Sequence, residues 1–130
     1  MRFAVTAHKP ELSSPIDQRF GRARCLLIVD LPERTTTVID NRQEMHAVRD
    51  AGLQAAKKVI DSQADALITG HCGPKAFRAL ATAGVTVYRV TDGSVAEALD
   101  RYDEGHLEAV ANADADMVIG RSAGFEQCAD

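Results

Sequence analysis

The chain has no tryptophan, two tyrosines, four phenylalanines and only three cysteines in 130 residues. Cys25, Cys72 and Cys128 lie far apart, are odd in number and include no C-x-x-C pair. That spacing argues against a disulfide framework and against a zinc or iron–sulfur site built from cysteine alone, and it predicts a reducing, cytoplasmic setting. Excess positive charge is missing too. With 15 Lys and Arg against 19 Asp and Glu, the formal net charge is -4, the wrong sign for a dedicated nucleic-acid binder. No apolar run approaches the roughly 20 residues that span a bilayer, so no membrane partner is expected. The opening "MRFAVTAHKP" lacks the long apolar stretch of a secretion signal. A Walker loop is absent, because no G-K-[ST] follows a glycine-rich turn.

What is present suits one compact domain over residues 1–120, with a loose tail over 121–130. Arg2 to Ala7 reads as a strand with Phe3 and Val5 on one face. The long polar loop "HKPELSSPIDQRFGRAR" follows, and loops of that length are often functional. "CLLIVD" and the β-branched "TTTVI" form a hairpin. The period then changes: Gly52, Ala55, Ala56, Val59 and Ile60 share one helical stripe. A strand from Ala66 to Thr69, a helix from Pro74 to about Ala83, and a strand from Val85 to Val90 come next. The last helix opens at Ser94, where "SVAE" has the capping-box pattern with Glu97.

This order predicts a mixed α/β fold with a five-stranded sheet, order 3-2-1-4-5, strand 2 antiparallel and helices flanking. Ligands of open α/β sheets sit beyond the carboxyl ends of parallel strands. That edge gathers His8, Arg19, Arg22, Arg42, His46, His71 and Cys72. In "GHCGPKAF" Pro74 suits the first helical position and Gly73 the cap before it. A helix N-terminus lowers the pKa of a thiol beside it, so Cys72 is expected to be more thiolate-like than a buried cysteine. Beside the His71 imidazole it would suit a soft, anionic metal–sulfur ligand. The plainer reading has Cys72 packing small against the sheet. In "DQRFGRAR", Arg19, Arg22 and Arg24 around Phe20 and Gly21 make a candidate anion clamp. His46 is a further candidate imidazole.

The motifs "D-x-R-F-G-R-A" and "A-L-I-T-G-x-C-G-P-x-A-F", with "A-G-x-Q-A-A" between them, give the chain its likeness. In order and in register they resemble the dinitrogenase iron–molybdenum cofactor biosynthesis family, the NifX/NafY-like domain also found at the C-terminus of NifB. The resemblance spans about residues 1 to 120. It implies a ribonuclease H-like fold that binds iron–molybdenum cofactor, its precursor or a related molybdenum or iron cluster. It also implies donor and acceptor partners in cluster assembly. Nitrogenase-type members often carry His-Phe-Gly where this chain has Arg19-Phe20-Gly21, so the sequence looks like the short stand-alone type.

The expected cofactor-binding residues are Arg19, Phe20, Gly21, Arg22, Gly70, His71, Cys72 and Gly73, with Cys72, His71 and His46 as candidate metal ligands. Ribonuclease H-like nucleases hold two metal ions on carboxylates, one normally from the first strand. Neither "RFAVTA" nor "ALITG" carries an acid, so the expectation is a non-catalytic carrier or chaperone for an anionic metal–sulfur cluster. A metal-free interaction or regulatory module is the alternative, and a thiol enzyme using Cys72 is a weaker one.

Overall fold

The computed structural model describes residues 1–41 and 51–110. Arg42, His46, Cys128 and the expected tail lie outside them. Strands β1 (Arg2–Ala7), β2 (Cys25–Asp30) and β3 (Thr35–Asp40) come first. Helix α1 (Ala51–Asp61), β4 (Ala66–Thr69), α2 (Pro74–Thr82), β5 (Thr86–Arg89), α3 (Val95–Asp103) and β6 (Glu108–Ala109) follow. The sheet order is β3-β2-β1-β4-β5-β6, the anticipated ribonuclease H-like order extended by one strand. β2 is antiparallel to both neighbours, while β1, β4 and β5 run parallel.

The expected count of five strands is corrected to six. β6 pairs antiparallel with β5 through Tyr88↔Ala109 and Arg89↔Glu108. Two residues are too few to show an alternating pattern, so this strand exists only because β5 offers an edge.

The central strands β1, β2 and β4 are buried on both faces. Ala4, Leu26, Ile28, Leu67 and Val87 form one cluster with Ala55, Ala56 and Val59 of α1 and Ala76 and Leu80 of α2. Phe3, Val5, Leu27, Val29 and Ile68 form the other with Val95, Ala98 and Leu99 of α3. β1 and β4 are therefore apolar nearly throughout, as strands covered on both sides must be. Leu67, fully buried, illustrates the scale: truncating such a side chain to alanine costs about 2–5 kcal/mol.

Local signals agree with the packing. Ser94 Oγ accepts the Glu97 amide at 3.1 Å, and the Ser94 amide donates to Glu97 Oε1 at 2.8 Å. The long loop after β1 is tied down by backbone bonds to the start of α3: Val95 N–H to Ser14 O and Ala96 N–H to Leu12 O. Among the described residues, no helix is long and apolar enough to cross a membrane.

Candidate functional site

Beyond Thr6 and Thr69 the two central parallel strands part, and the chain from Ile16 to Phe20 fills the gap. Ile16 bridges antiparallel to Ala7, and Arg19 bridges parallel to His71. The Asp17 amide donates to Thr6 O at 3.0 Å, the His71 amide to Gln18 O at 2.7 Å, and the Phe20 amide to His71 O at 3.1 Å. Thr6 Oγ1 donates to Asp17 O at 2.7 Å and lies 2.9 Å from Thr69 Oγ1. The two sequence motifs, some fifty residues apart, thus share main-chain hydrogen bonds at the carboxyl edge.

The glycines explain how they come so close. A Cβ on Gly70 would lie 2.7 Å from both Gln18 Cα and Gln18 O. A Cβ on Gly21 would lie 2.5 Å from Gly52 N and 2.7 Å from Gly52 Cα. Both are places where only a hydrogen fits. Gly21 was anticipated as a point of backbone approach to an anion; what it approaches here is the first turn of α1. Gly73 is different, with nothing within 4 Å of a Cβ. It caps α2, and Pro74 takes the first helical position.

Asp17 is the pivot of the inserted segment. Its side chain is only 1 % exposed. Oδ1 accepts the Arg19 amide at 3.0 Å and Arg19 Nε at 3.3 Å, and Oδ2 accepts a second guanidinium nitrogen at 3.4 Å. His8 Nδ1 lies 3.5 Å from Oδ2. A buried carboxylate needs this compensation. It leaves the Arg19 side chain 58 % exposed and that of His8 48 % exposed at the edge. His71 is exposed as well.

Ser14 and Asn41 brace the loop from either side. Buried Ser14 Oγ accepts the amides of His8 at 3.1 Å and Lys9 at 2.9 Å. Fully buried Asn41 donates to Ala23 O at 2.8 Å and Gly21 O at 3.3 Å, while its Oδ1 accepts Lys58 Nζ at 2.9 Å. Sequence reasoning passed over Asp17, Ser14 and Asn41 as sites of consequence. For Asn41 the signal was its place directly after β3, where such side chains satisfy stray backbone groups; Ser14 and Asp17 sit among other polar residues of the loop, with nothing local to set them apart.

Cys72 corrects an expectation. Its residue is 2 % exposed, in the cluster that holds Phe20, Ala55, Ala76 and Leu80. Burial pushes its thiol from the ordinary 9.0 up to about 12. Desolvation of the thiolate outweighs any help from the α2 N-terminus, so Cys72 is a packed thiol and not a thiolate at the surface. Phe20, 1 % exposed, likewise anchors the loop from below. Arg22 is half-buried. Among the described residues, no group of three or more His, Cys, Asp or Glu is placed to hold a metal ion.

An open cleft of about 470 Å³ lies on the other flank of the turn, lined by Gly52, Leu53, Gly73, Pro74 and Ala76 with Lys75 and Arg78. Its size falls within the range of small-molecule sites. As a receptor for an anionic metal–sulfur cluster, the edge fits in one respect and not in another. Among the described residues it supplies a guanidinium, imidazoles and cationic side chains, but no available thiolate.

The class is that of a mixed α/β, ribonuclease H-like fold whose carboxyl sheet edge is reinforced by an inserted segment. The sequence profile of the dinitrogenase iron-molybdenum cofactor family matches residues 1–105, and the chain belongs to that family. It is similar to the apo form of the orange protein from Desulfovibrio gigas, at 37% identity and a TM-score of 0.82, covering 85% of this chain and 93% of that one. A NifB-type protein from Thermotoga is 32% identical with a TM-score of 0.72, covering 83% of this chain and 91% of that one. An uncharacterized protein of Methanocaldococcus jannaschii is 29% identical over 108 residues, 75% of this chain and 89% of the relative.

Proposed function

We propose that this protein binds an anionic metal–sulfur cluster at the carboxyl edge of β1 and β4 and carries it between assembly and acceptor proteins in the cytoplasm. The cargo is iron–molybdenum cofactor, a precursor or a related molybdenum or iron cluster, and the protein performs no catalysis on it. One observation carries the reading: the inserted Asp17–Phe20 segment sets Arg19 against His71 through the Arg19↔His71 bridge. Membership of the cofactor family supports the choice of cargo.

Holding is by charge and hydrogen bonds at the surface. Arg19 presents a planar fork of donors, His71 an exposed imidazole, and Lys75 a nearby positive charge in the cleft. Gly70, Gly21 and Gly73 shape the backbone beneath, and Phe20 and Cys72 pack it from inside. Cys72 reaches a metal only if the turn opens, so it contributes to the site's shape and not to its first contacts. Reversible surface contacts suit a protein that must release its cargo.

Purification without oxygen, followed by elemental analysis and a visible spectrum, tests the reading. Co-purifying molybdenum or iron with a charge-transfer band, or uptake of tetrathiomolybdate by the metal-free protein, is expected. A colourless protein that takes up neither would mark the fold as a metal-free interaction module.

A further inference from the structure

His8 has the most specific setting of any imidazole among the described residues. Its main-chain amide is fixed by Ser14 Oγ at 3.1 Å. Its ring Nδ1 faces Oδ2 of Asp17 at 3.5 Å. That carboxylate is 1 % exposed and already takes the Arg19 guanidinium on both oxygens. The contact is an ion-pair approach, longer than a hydrogen bond, and it becomes attractive when the nitrogen turned to Asp17 carries the proton. In the neutral ring that tautomer leaves Nε2 with the free lone pair, on a ring that is 48 % exposed. Nε2 has no hydrogen-bond partner among the described residues. A carboxylate behind one nitrogen of an imidazole, with the other nitrogen open, is the arrangement by which proteins orient a metal-binding histidine.

We infer that His8 meets the metal of the bound cargo through Nε2, and that Asp17 is its positioning residue. This rests on the cargo reading above and deepens it. Arg19 then reads the charge of a metal–sulfur anion, whereas His8 reads an exchangeable position on one of its metals. In that step the Nε2 lone pair displaces a labile water from the metal, and no electron or proton moves. The same buried carboxylate sets both groups, so charge recognition and metal recognition are coupled through Asp17. His71, by contrast, is held through its main chain alone.

The first test needs no ligand. Long-range proton–nitrogen NMR of the imidazoles in the uncharged state should show His8 protonated on Nδ1, the tautomer that free imidazoles in water disfavour. Asp17→Asn should move His8 to the Nε2-protonated form while exposed His106 stays unchanged. Finding wild-type His8 protonated on Nε2 overturns the inference, even if Asp17→Asn fails to fold.

The second test uses two probes on the whole chain without oxygen. Tetrathiomolybdate is an anion whose molybdenum is closed by sulfur. Its one-to-one adduct with ferrous iron keeps exchangeable positions on the iron. His8→Ala should weaken binding of the iron adduct by about tenfold and leave tetrathiomolybdate binding unchanged, whereas Arg19→Gln should weaken both. Equal effects of His8→Ala on the two probes, or none on either, overturn the inference while leaving the cargo reading standing. Failure of the wild-type chain to bind either probe overturns the cargo reading and this one with it.

Discussion

Gly70 lies so close to Gln18 that the two backbones leave room for a hydrogen and nothing larger: a Cβ would sit 2.7 Å from Gln18 Cα. On this contact depends the docking of the loop after β1 onto the turn after β4. It explains why a buried glycine ends an otherwise apolar strand, and it separates the roles of the two glycines that bracket His71 and Cys72.

Gly70→Ala should therefore destabilise the fold by about 1–3 kcal/mol, the usual cost of forcing extra atoms into a packed place. Gly73→Ala, with open space around its Cβ and a φ of -65°, should change stability by less than about 0.5 kcal/mol. Urea midpoints of the two variants check this. Similar losses in both would show that the turn is limited by something other than the Gln18 contact.

Asn41 offers a second structural test. Removing its side chain by Asn41→Ala leaves the carbonyls of Gly21 and Ala23 and the Lys58 ammonium without those bonds. Buried groups left unsatisfied cost about 1–3 kcal/mol. The expected loss should come with faster amide exchange over the 21–24 loop, and little change in the helix α3 amides, which belong to the other face.

Cys72 connects packing to pH. Its thiol in the fold is raised to about 12 and regains the ordinary 9.0 on unfolding, so the unfolded chain gives up this proton first as pH rises. The stabilisation from keeping the thiol neutral is complete below about pH 9 and is lost progressively toward pH 12. Cys72→Ala should flatten that part of the alkaline decline, after allowance for the cavity it creates. A maleimide applied at neutral pH should spare Cys72 in the native chain and reach it only with unfolding. Prompt native labelling of Cys72, located by peptide mapping, would restore it as an accessible thiolate.

Much of the framework was legible because it depends on local rules. The β1 and β4 runs are apolar on both faces, the β2–β3 hairpin is a β-branched strand beside an apolar one, and "SVAE" carries its own cap. Even the meeting of the Arg19 loop with the His71 turn followed from placing β1 beside β4 in parallel. What escaped was decided by distant parts of the chain. For Cys72 the sequence left open an exposed, thiolate-like turn residue and a small packed one, and it is Phe20, brought into the same core from the loop after β1, that goes with the second. Asp17 reads as one more acid of a polar loop until Thr6 and Thr69 draw its segment between the strands. β6 had too few residues to carry any period. Burial by a remote segment leaves no local trace in sequence.

An anionic cluster held at this edge would be drawn there by charge. Arg19 and Lys57 are both exposed, but only Arg19 stands in the bridge to His71, while Lys57 lies on the outer face of α1. Arg19→Gln and Lys57→Gln each remove one positive charge, so the global field changes alike and only the local contact differs. A charge-assisted hydrogen bond is worth about 1.5–3 kcal/mol, which makes the expected loss of tetrathiomolybdate affinity for Arg19→Gln about tenfold or more. For Lys57→Gln it should be slight. Raising ionic strength shortens the screening length from about 30 Å at 0.01 M to about 3 Å at 1 M, so wild-type affinity should fall with salt, and the Arg19→Gln variant should fall less steeply. Glutamine is the better replacement because glutamate would set a second carboxylate beside buried Asp17 and confuse binding with folding. If the two variants bind alike at every salt concentration, the anion is drawn by net charge alone and the Arg19–His71 edge is not where it sits.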